Sequence, residues 1–306
     1  MEAKSPYADF DPKTLIGKTY NSYDFSLTPT EVILYALSVG CQQDPLNKDH
    51  LKFTYENDGD FQSFPTMACA LGLRTFGDFA KYPGFPKIDL DQVLHGEEEV
   101  EIIKPLKADG TVYVCTHTYK DFQDKGKMSN TVAEKLFFEK DTKELCVRIT
   151  NHCIIRQFGG YGYKGTMPSV IGAGKVERPK REPDQVRVEK TQANQAILYR
   201  LNGDTNPLHI DPKVAQKVKF DRPILHGLCS FGFSCKSLLD TYSNNDPTTL
   251  KKLSARFTSH VYPGETLIVE MWKEPNTNRV YFETKTKERN LMVMKGFAEF
   301  KESPKL

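Results

Sequence analysis

The chain has no CxxC pair and no apolar run long enough to cross a bilayer. The first lack removes the usual zinc and thioredoxin-like spacings. The second removes a membrane-spanning helix, which needs about 20 apolar residues. The seven cysteines, Cys41, Cys69, Cys115, Cys146, Cys153, Cys229 and Cys235, are odd in number and widely spaced. They read as reduced thiols of an intracellular protein, with neither a disulfide framework nor a metal site expected. Charge of one sign is equally scarce. The 42 Lys and Arg against 40 Asp and Glu leave a formal net charge of +2. That excludes the strong field a nucleic acid or an anionic membrane partner would call for. The opening residues, Met1 to Pro6, are polar and lack a signal-peptide core. At the other end, Pro304-Lys305-Leu306 shares its last two positions with the S-K-L peroxisomal address. The expectation is the peroxisome on that signal, and otherwise the cytoplasm.

With 306 residues, 39% of them hydrophobic, the chain can build two cores of ordinary size. Three short echoes recur in the same order and point to an internal duplication. Tyr35-Ala36-Leu37 matches Tyr199-Arg200-Leu201, Phe64-Pro65-Thr66 matches Arg222-Pro223-Ile224, and a Gly-Glu turn at Gly96 matches one at Gly264. In the second unit a short helix is expected over Thr191 to Leu201, then a long one from Pro223. The long helix carries Ile224, Leu228, Phe231, Cys235, Leu238 and Tyr242 at steps of three and four. Strand patterns follow at Leu253–His260, Glu265–Lys273, Arg279–Lys287 and Leu291–Phe300. The first unit repeats the plan with a helix over Thr66–Phe79 and strands at Val93–Ile103, Thr111–Tyr119, Thr131–Phe138 and Leu145–Gln157. One long helix wrapped by an antiparallel meander is a hot-dog, so the expected class is α+β, a double hot-dog. The division is 1–160 for the first repeat, 161–184 for a linker and 185–306 for the second repeat.

Gly160-Tyr161-Gly162-Tyr163-Lys164-Gly165 fits G-x-G-x-x-G. A dinucleotide site also requires a helix directly after it, and Thr166-Met167-Pro168 does not begin one. A flexible connection is the better reading.

The chemistry-bearing stretch is Asn202-Gly203-Asp204-Thr205-Asn206-Pro207-Leu208-His209. It holds a carboxylate, an amide and an imidazole within six residues, on a loop stiffened by Pro207. Asp and His side by side can share general base and acid work. An N–H at the start of the long helix, at Gly227, can stabilise a developing oxyanion. Each residue also has a plainer reading. Asp204 suits an Asx turn or helix cap, His209 a packed histidine, and Gly227 close helix packing.

The run from Tyr199 to Ala215, with G-D-x-N-P-L-H at its centre, resembles the signature of the R-specific enoyl-CoA hydratase 2 family. That family includes MaoC-like hydratases and the hydratase domain of peroxisomal multifunctional enzyme type 2. The segments Arg222 to Cys229, Val261 to Thr266, Val93 to Glu97 and Lys52 to Glu56 also look like the two-repeat members. The resemblance implies reversible hydration of trans-2-enoyl-CoA to (3R)-3-hydroxyacyl-CoA in fatty acid β-oxidation. Asp204 and His209 match the acid/base pair, Asn206 the residue orienting it, and Gly227 the donor to the thioester carbonyl. Glu56 matches a functional carboxylate of the first repeat. His95, Gly96, Lys125 and Phe257, with the catalytic residues, fall where the family contacts the CoA ester. No cofactor is implied beyond the CoA carried by the acyl-CoA thioester, and the family forms homodimers. The first repeat reads Tyr35 to Gly40 where the motif would fall, so one catalytic site per chain is expected, with the degenerate repeat housing the acyl chain. With no dehydrogenase domain, a stand-alone hydratase is implied. A hot-dog acyl-CoA thioesterase and a non-catalytic acyl-CoA binding protein are the alternatives.

Overall fold

The computed structural model describes residues 5–75, 77–171 and 178–302. In the first half, β1 (Thr19–Ser26) runs into α1 (Pro29–Ser38). Thr28 and Glu31 exchange side-chain and backbone hydrogen bonds in a capping box, and Pro29 occupies the first turn, so α1 starts sharply. Two short helices follow, α2 (Leu51–Thr54) and α3 (Met67–Leu71). The meander β2 (Val93–Ile102), β3 (Val112–Asp124), β4 (Met128–Glu139) and β5 (Leu145–Arg156) completes the half. In the second half come β6 (Gln185–Lys190), α4 (Gln195–Arg200), α5 (Pro212–Lys217) and the long α6 (Gly227–Tyr242). They are followed by β7 (Leu250–Phe257), β8 (Thr266–Lys273), β9 (Arg279–Thr286) and β10 (Leu291–Phe300).

All ten strands form one antiparallel sheet in the order β1-β3-β4-β5-β2-β7-β10-β9-β8-β6. The second half of that order is the first half mirrored, strand for strand, about the β2·β7 seam. That is the topology of a double hot-dog. The Tyr35/Tyr199 echo is structural: the two rings, from α1 and α4, lie 6.0 Å apart. The Gly96/Gly264 echo is not. Gly96 sits inside β2, whereas Gly264 lies in the turn before β8 at φ 91°. The counterpart of Gly264 is Gly110, in the turn before β3, also at φ 91°.

The two repeats differ most in their central helix. α6 has sixteen residues, and Phe231, Cys235, Leu238 and Tyr242 are buried as their spacing predicts. It starts at Gly227 and not at Pro223, because Leu225 N–H is taken by Val261 O, 2.7 Å away, before the helix begins. The helix expected over Thr66–Phe79 shrinks to the five residues of α3. Gly72 caps it, and Gly77 takes φ 93°, outside helical backbone. The strands expected from the pattern are present, though β3 and β4 run further toward their shared turn. β1 and β6, the outermost strands, were not expected. The side chains of β6 are mostly exposed, so burial imposed no pattern on it.

The glycine-rich run has a local explanation. The N–H groups of Gly126, Gly160 and Gly162 converge on the Asp124 carboxylate, and those of Thr166 and Met167 on Asp121. The loop wraps the protein's own acids with the kind of N–H array that elsewhere cradles phosphate. All seven cysteines are free, and only Cys153 is less than fully buried. No described helix is long and apolar enough to cross a membrane. The Pro304–Leu306 tail lies outside the described residues.

The seam is built from paired charges. Glu97 faces Arg256 across β2 and β7. Its Oε1 accepts from Arg256 Nε and Nη2 at 2.8 and 2.6 Å and from Ser169 Oγ at 3.0 Å, while Val170 N donates to Oε2 at 2.9 Å. Glu99 accepts from Ser254 Oγ at 2.7 Å and Lys252 Nζ at 3.0 Å. Glu97 is only 7% exposed, so removing its cation leaves a charge short of partners. Arg256→Ala is therefore expected to lower the unfolding free energy by about 1–3 kcal/mol. Adding Glu97→Gln should recover part of that loss in urea denaturation curves.

Candidate active site

Between α6, the concave side of the sheet and the loop after α4 lies a cavity of about 480 Å³. That volume is within the range that takes small ligands, roughly 300–1,000 Å³. Asp204, Asn206, His209, Gly227, His95 and Phe257 all line it.

The loop from Gly203 to His209 is held by its own side chains. Gly203 takes φ 128°, a conformation that a residue with a Cβ rarely adopts, and a Cβ there would meet Arg74 Cγ at 2.7 Å. Asp204 Oδ1 accepts from Asn206 N at 3.2 Å, closing an Asx turn. Asn206 Oδ1 accepts from Leu208 N at 3.0 Å and caps a 3-10 turn over Pro207–His209. The turn and cap readings of these residues are thus correct. They also build the site, because the same bonds carry Asp204 and His209 to one wall of the cavity.

His209 Nδ1 lies 2.8 Å from Ile224 O, so Nδ1–H donates to that carbonyl and Nε2 keeps its lone pair. The ring is 8% exposed. Burial pushes its pKa below the ordinary histidine value, with the Asp204 carboxylate and the Ile224 carbonyl opposing. The imidazole is therefore neutral at neutral pH and able to accept a proton.

His226, which spacing did not single out, completes the arrangement. Its ring stacks on His209 with centroids 3.7 Å apart at 28°, and its Nε2 lies 3.3 Å from the backbone oxygen of Asp204. At 1% exposure it is almost wholly enclosed, and burial, then the neighbouring His209, holds its pKa well below the ordinary value. It fixes both catalytic candidates at once: a flat support under one and a hydrogen bond to the backbone of the other. The signal available in the sequence was only its place directly before Gly227.

Asp204, His209 and His226 bring ligand-type atoms within 4.8 Å of one another. Two imidazoles share a metal only if the ion lies near both ring planes, at about 2.0–2.1 Å from each nitrogen. Rings stacked at 3.7 Å and 28° hold their planes too far apart for that. Hydrogen bonds to carbonyls already engage one nitrogen of each ring. The donor set does not fit a metal. Its spacing fits a water bridging Asp204 and His209.

Gly227 opens α6, so its N–H belongs to the first turn, where no helical carbonyl precedes it, and it lies at the positive end of a sixteen-residue helix. A Cβ there would press on the Phe257 ring at 3.3 Å. The bare α-carbon lets Phe257 and a ligand oxygen both come close. Phe257 in turn packs on His95, centroids 4.9 Å apart.

Gly96 does not line the cavity; it is a β-bulge. The β2–β5 register slips between His95 and Glu97. Residues three apart on a regular strand face opposite sides. The extra residue puts His95 and Glu98 on one face, Nε2 to Oε2 at 3.0 Å. Glu56 and Lys125 lie apart from the cavity. Glu56 is exposed on the turn after α2, and Lys125 is exposed in the β3–β4 turn; neither lines the cavity. Both occupy surface turns, where side chains extend to solvent unless a partner holds them.

The MaoC like domain model matches residues 175–296, and the MFE-2 hydratase 2 N-terminal domain model matches residues 25–157. Over 304 residues the chain is 37% identical to a peroxisomal enoyl-CoA hydratase 2 of Arabidopsis thaliana, covering 96% of each. It is 39% identical over 281 residues to the peroxisomal multifunctional enzyme type 2 of Mus musculus, covering 91% of this chain and 37% of that one. The crystal structure of a MaoC-like dehydratase from Phytophthora capsici superposes with a TM-score of 0.80 at 32% identity, over 93% and 95% of the two chains.

The depressed histidines tie stability to pH. Below about pH 6.5 the unfolded chain protonates His209 and His226 while the folded chain resists, so the unfolded state binds more protons and stability rises with pH. Their contribution is full above about pH 6.5 and is lost as pH falls through the folded-state values. Calorimetric unfolding temperatures are expected to drop on acidification below that point, and less steeply in His226→Phe.

Proposed function

The chain belongs to the enoyl-CoA hydratase 2 family, and from that membership we propose that it is a hydro-lyase of fatty acid β-oxidation. It adds water reversibly to trans-2-enoyl-CoA and yields (3R)-3-hydroxyacyl-CoA. The observation that supports the site assignment is that the closely spaced Asp204 and His209 line one cavity with Gly227 at the start of α6.

In this reading the thioester oxygen takes the Gly227 N–H, which stabilises the enolate-like charge that develops there. Asp204 holds a water by one hydrogen. His209 Nε2 accepts its other proton as the water oxygen bonds to C3, and the π electrons move onto C2 and the thioester oxygen. The Asp204 carboxylate stabilises the imidazolium so formed. That proton then passes to C2, so H and OH both come from one water and both residues return to their starting state. The chain's own groups meet each demand, and the CoA arrives with the substrate. Asn206 supports the loop, and His95 and Phe257 bound the thioester end. The peroxisomal names of the relatives support that compartment for this chain. Removing Pro304–Leu306 from a fluorescent fusion should then disperse it through the cytosol. The family's homodimer is carried over as part of the same reading, and light scattering decides it.

Asp204→Asn and His209→Ala should each lower kcat by about a hundred- to ten-thousand-fold with unchanged circular dichroism. Gly227→Pro, which deletes the N–H, should do the same. The assay follows loss of enoyl absorbance and chiral analysis of the product. Near-normal turnover in both Asp204 and His209 variants would overturn the site. Free thiol in place of hydroxyacyl product would mean a thioesterase, and neither signal a binding protein.

A further inference from the structure

One wall of the cavity is polar. It belongs to the first repeat, where α3 stops after five residues and leaves the sheet's concave side uncovered. Into that space reaches Lys135 of β4. It is 3% exposed, lines the cavity, and has no hydrogen-bond acceptor or ion-pair partner among the described residues. Gly72 makes the room: a Cβ there would sit 2.7 Å from Lys135 Cδ and 3.2 Å from Nζ. Only a residue without a side chain at the end of α3 leaves room for the lysine stem.

Lys135 has polar company on the same face. His117 pairs with it across β3 and β4, and Asn151 of β5 stands opposite Ala133, two residues before Lys135. Both line the cavity at 3% and 7% exposure. His117 Nε2 and Asn151 Oδ1 are enclosed and without partners. Burial and the Lys135 charge push the His117 pKa down to about 3, so that ring adds no charge. Close by, Glu98 is fully buried, with Oε2 on His95 and Oε1 unpartnered. Lys135 and Glu98 both act on the thiols Cys69 and Cys153, in opposite senses, yet no ion pair joins them.

An unsubstituted acyl tail lying here would leave an ammonium and an amide oxygen desolvated and unpaired, which is unfavourable. A carboxylate would satisfy Lys135 but bring only acceptors toward Asn151 Oδ1 and Glu98. A hydroxyl meets both needs, accepting from Lys135 and donating to Asn151. We propose that Lys135, His117 and Asn151 form a recognition site for a hydroxyl group carried on the acyl chain. The site rests on the acyl-thioester reading above and narrows the substrate to hydroxylated enoyl-CoAs. These residues touch the tail and not the reacting carbons, so they set specificity.

The test is calorimetric binding of saturated acyl-CoAs, of increasing chain length, in three series: unsubstituted, ω-hydroxyl and ω-carboxyl. At one length the hydroxyl is expected to tighten binding by about tenfold or more, the gain typical of a hydrogen bond to a charged group. Lys135→Met should abolish that gain and favour the plain chain. Should Lys135→Met fail to fold, Lys135→Gln, which keeps a neutral donor, should reduce the gain without removing it. Equal affinity for plain and hydroxylated chains at every length overturns the proposal, as does a preference that survives loss of Lys135 or a stronger preference for the carboxylate. Normal binding of plain acyl-CoAs without a hydroxyl preference sinks only this site. Absence of binding in all three series sinks the hydratase reading with it.

Discussion

The antiparallel pairing of β2 with β7 is the contact on which the rest of this molecule depends. Each repeat alone has a short curved sheet, and the cavity needs a wall from both. The seam joins the two sheets edge to edge from Glu97·Arg256 to Glu101·Lys252. It thereby sets His95 of one repeat against Phe257 of the other. Charged cross-strand pairs also fix register, because a one-residue slip would turn Glu97 away from Arg256 and expose the residues now facing the core.

Duplication let the halves diverge in opposite directions. The second repeat keeps a sixteen-residue helix whose first turn supplies a free N–H, and a loop whose side chains stiffen it beside that turn. The first repeat lost most of its helix, and with it the positive end that could stabilise an oxyanion. What it gained is space, bounded by the polar face of β3, β4 and β5. A long helix in each half would fill the cavity. The same asymmetry leaves the start of α6 facing open space.

Some of this was legible from residues alone, for physical reasons. The α6 stripe showed because its apolar residues recur every three to four positions, although the helix is buried on nearly every side and mostly small or polar residues fill its other faces. The meanders showed because a half-buried strand alternates. Asp204, Asn206 and His209 stood out because a short, proline-stiffened loop keeps neighbours in sequence close in space. Other features carry no local trace. The bulge at Gly96 exists only relative to β5, so the strand by itself gave no sign that His95 and Glu98 share a face. The side chain that packs beside Gly72 comes from Lys135, more than sixty positions away. Gly160 to Gly165 looked like a phosphate loop because both structures need closely spaced N–H groups; only the position of Asp121 and Asp124 shows which anion they serve.

The sequence by itself determined the kinds of element, their order and the composition of the Gly203–His209 loop, since these follow from the nearest few residues in the chain. Tertiary structure alone decided that His226 lies under His209, that Glu56 and Lys125 face solvent, and that a lysine in the cavity wall has no partner among the described residues. Those facts are set by which distant strands become neighbours, and burial, which gives His209 its lone pair and strands Lys135, is a property of the closed fold and not of any segment of it.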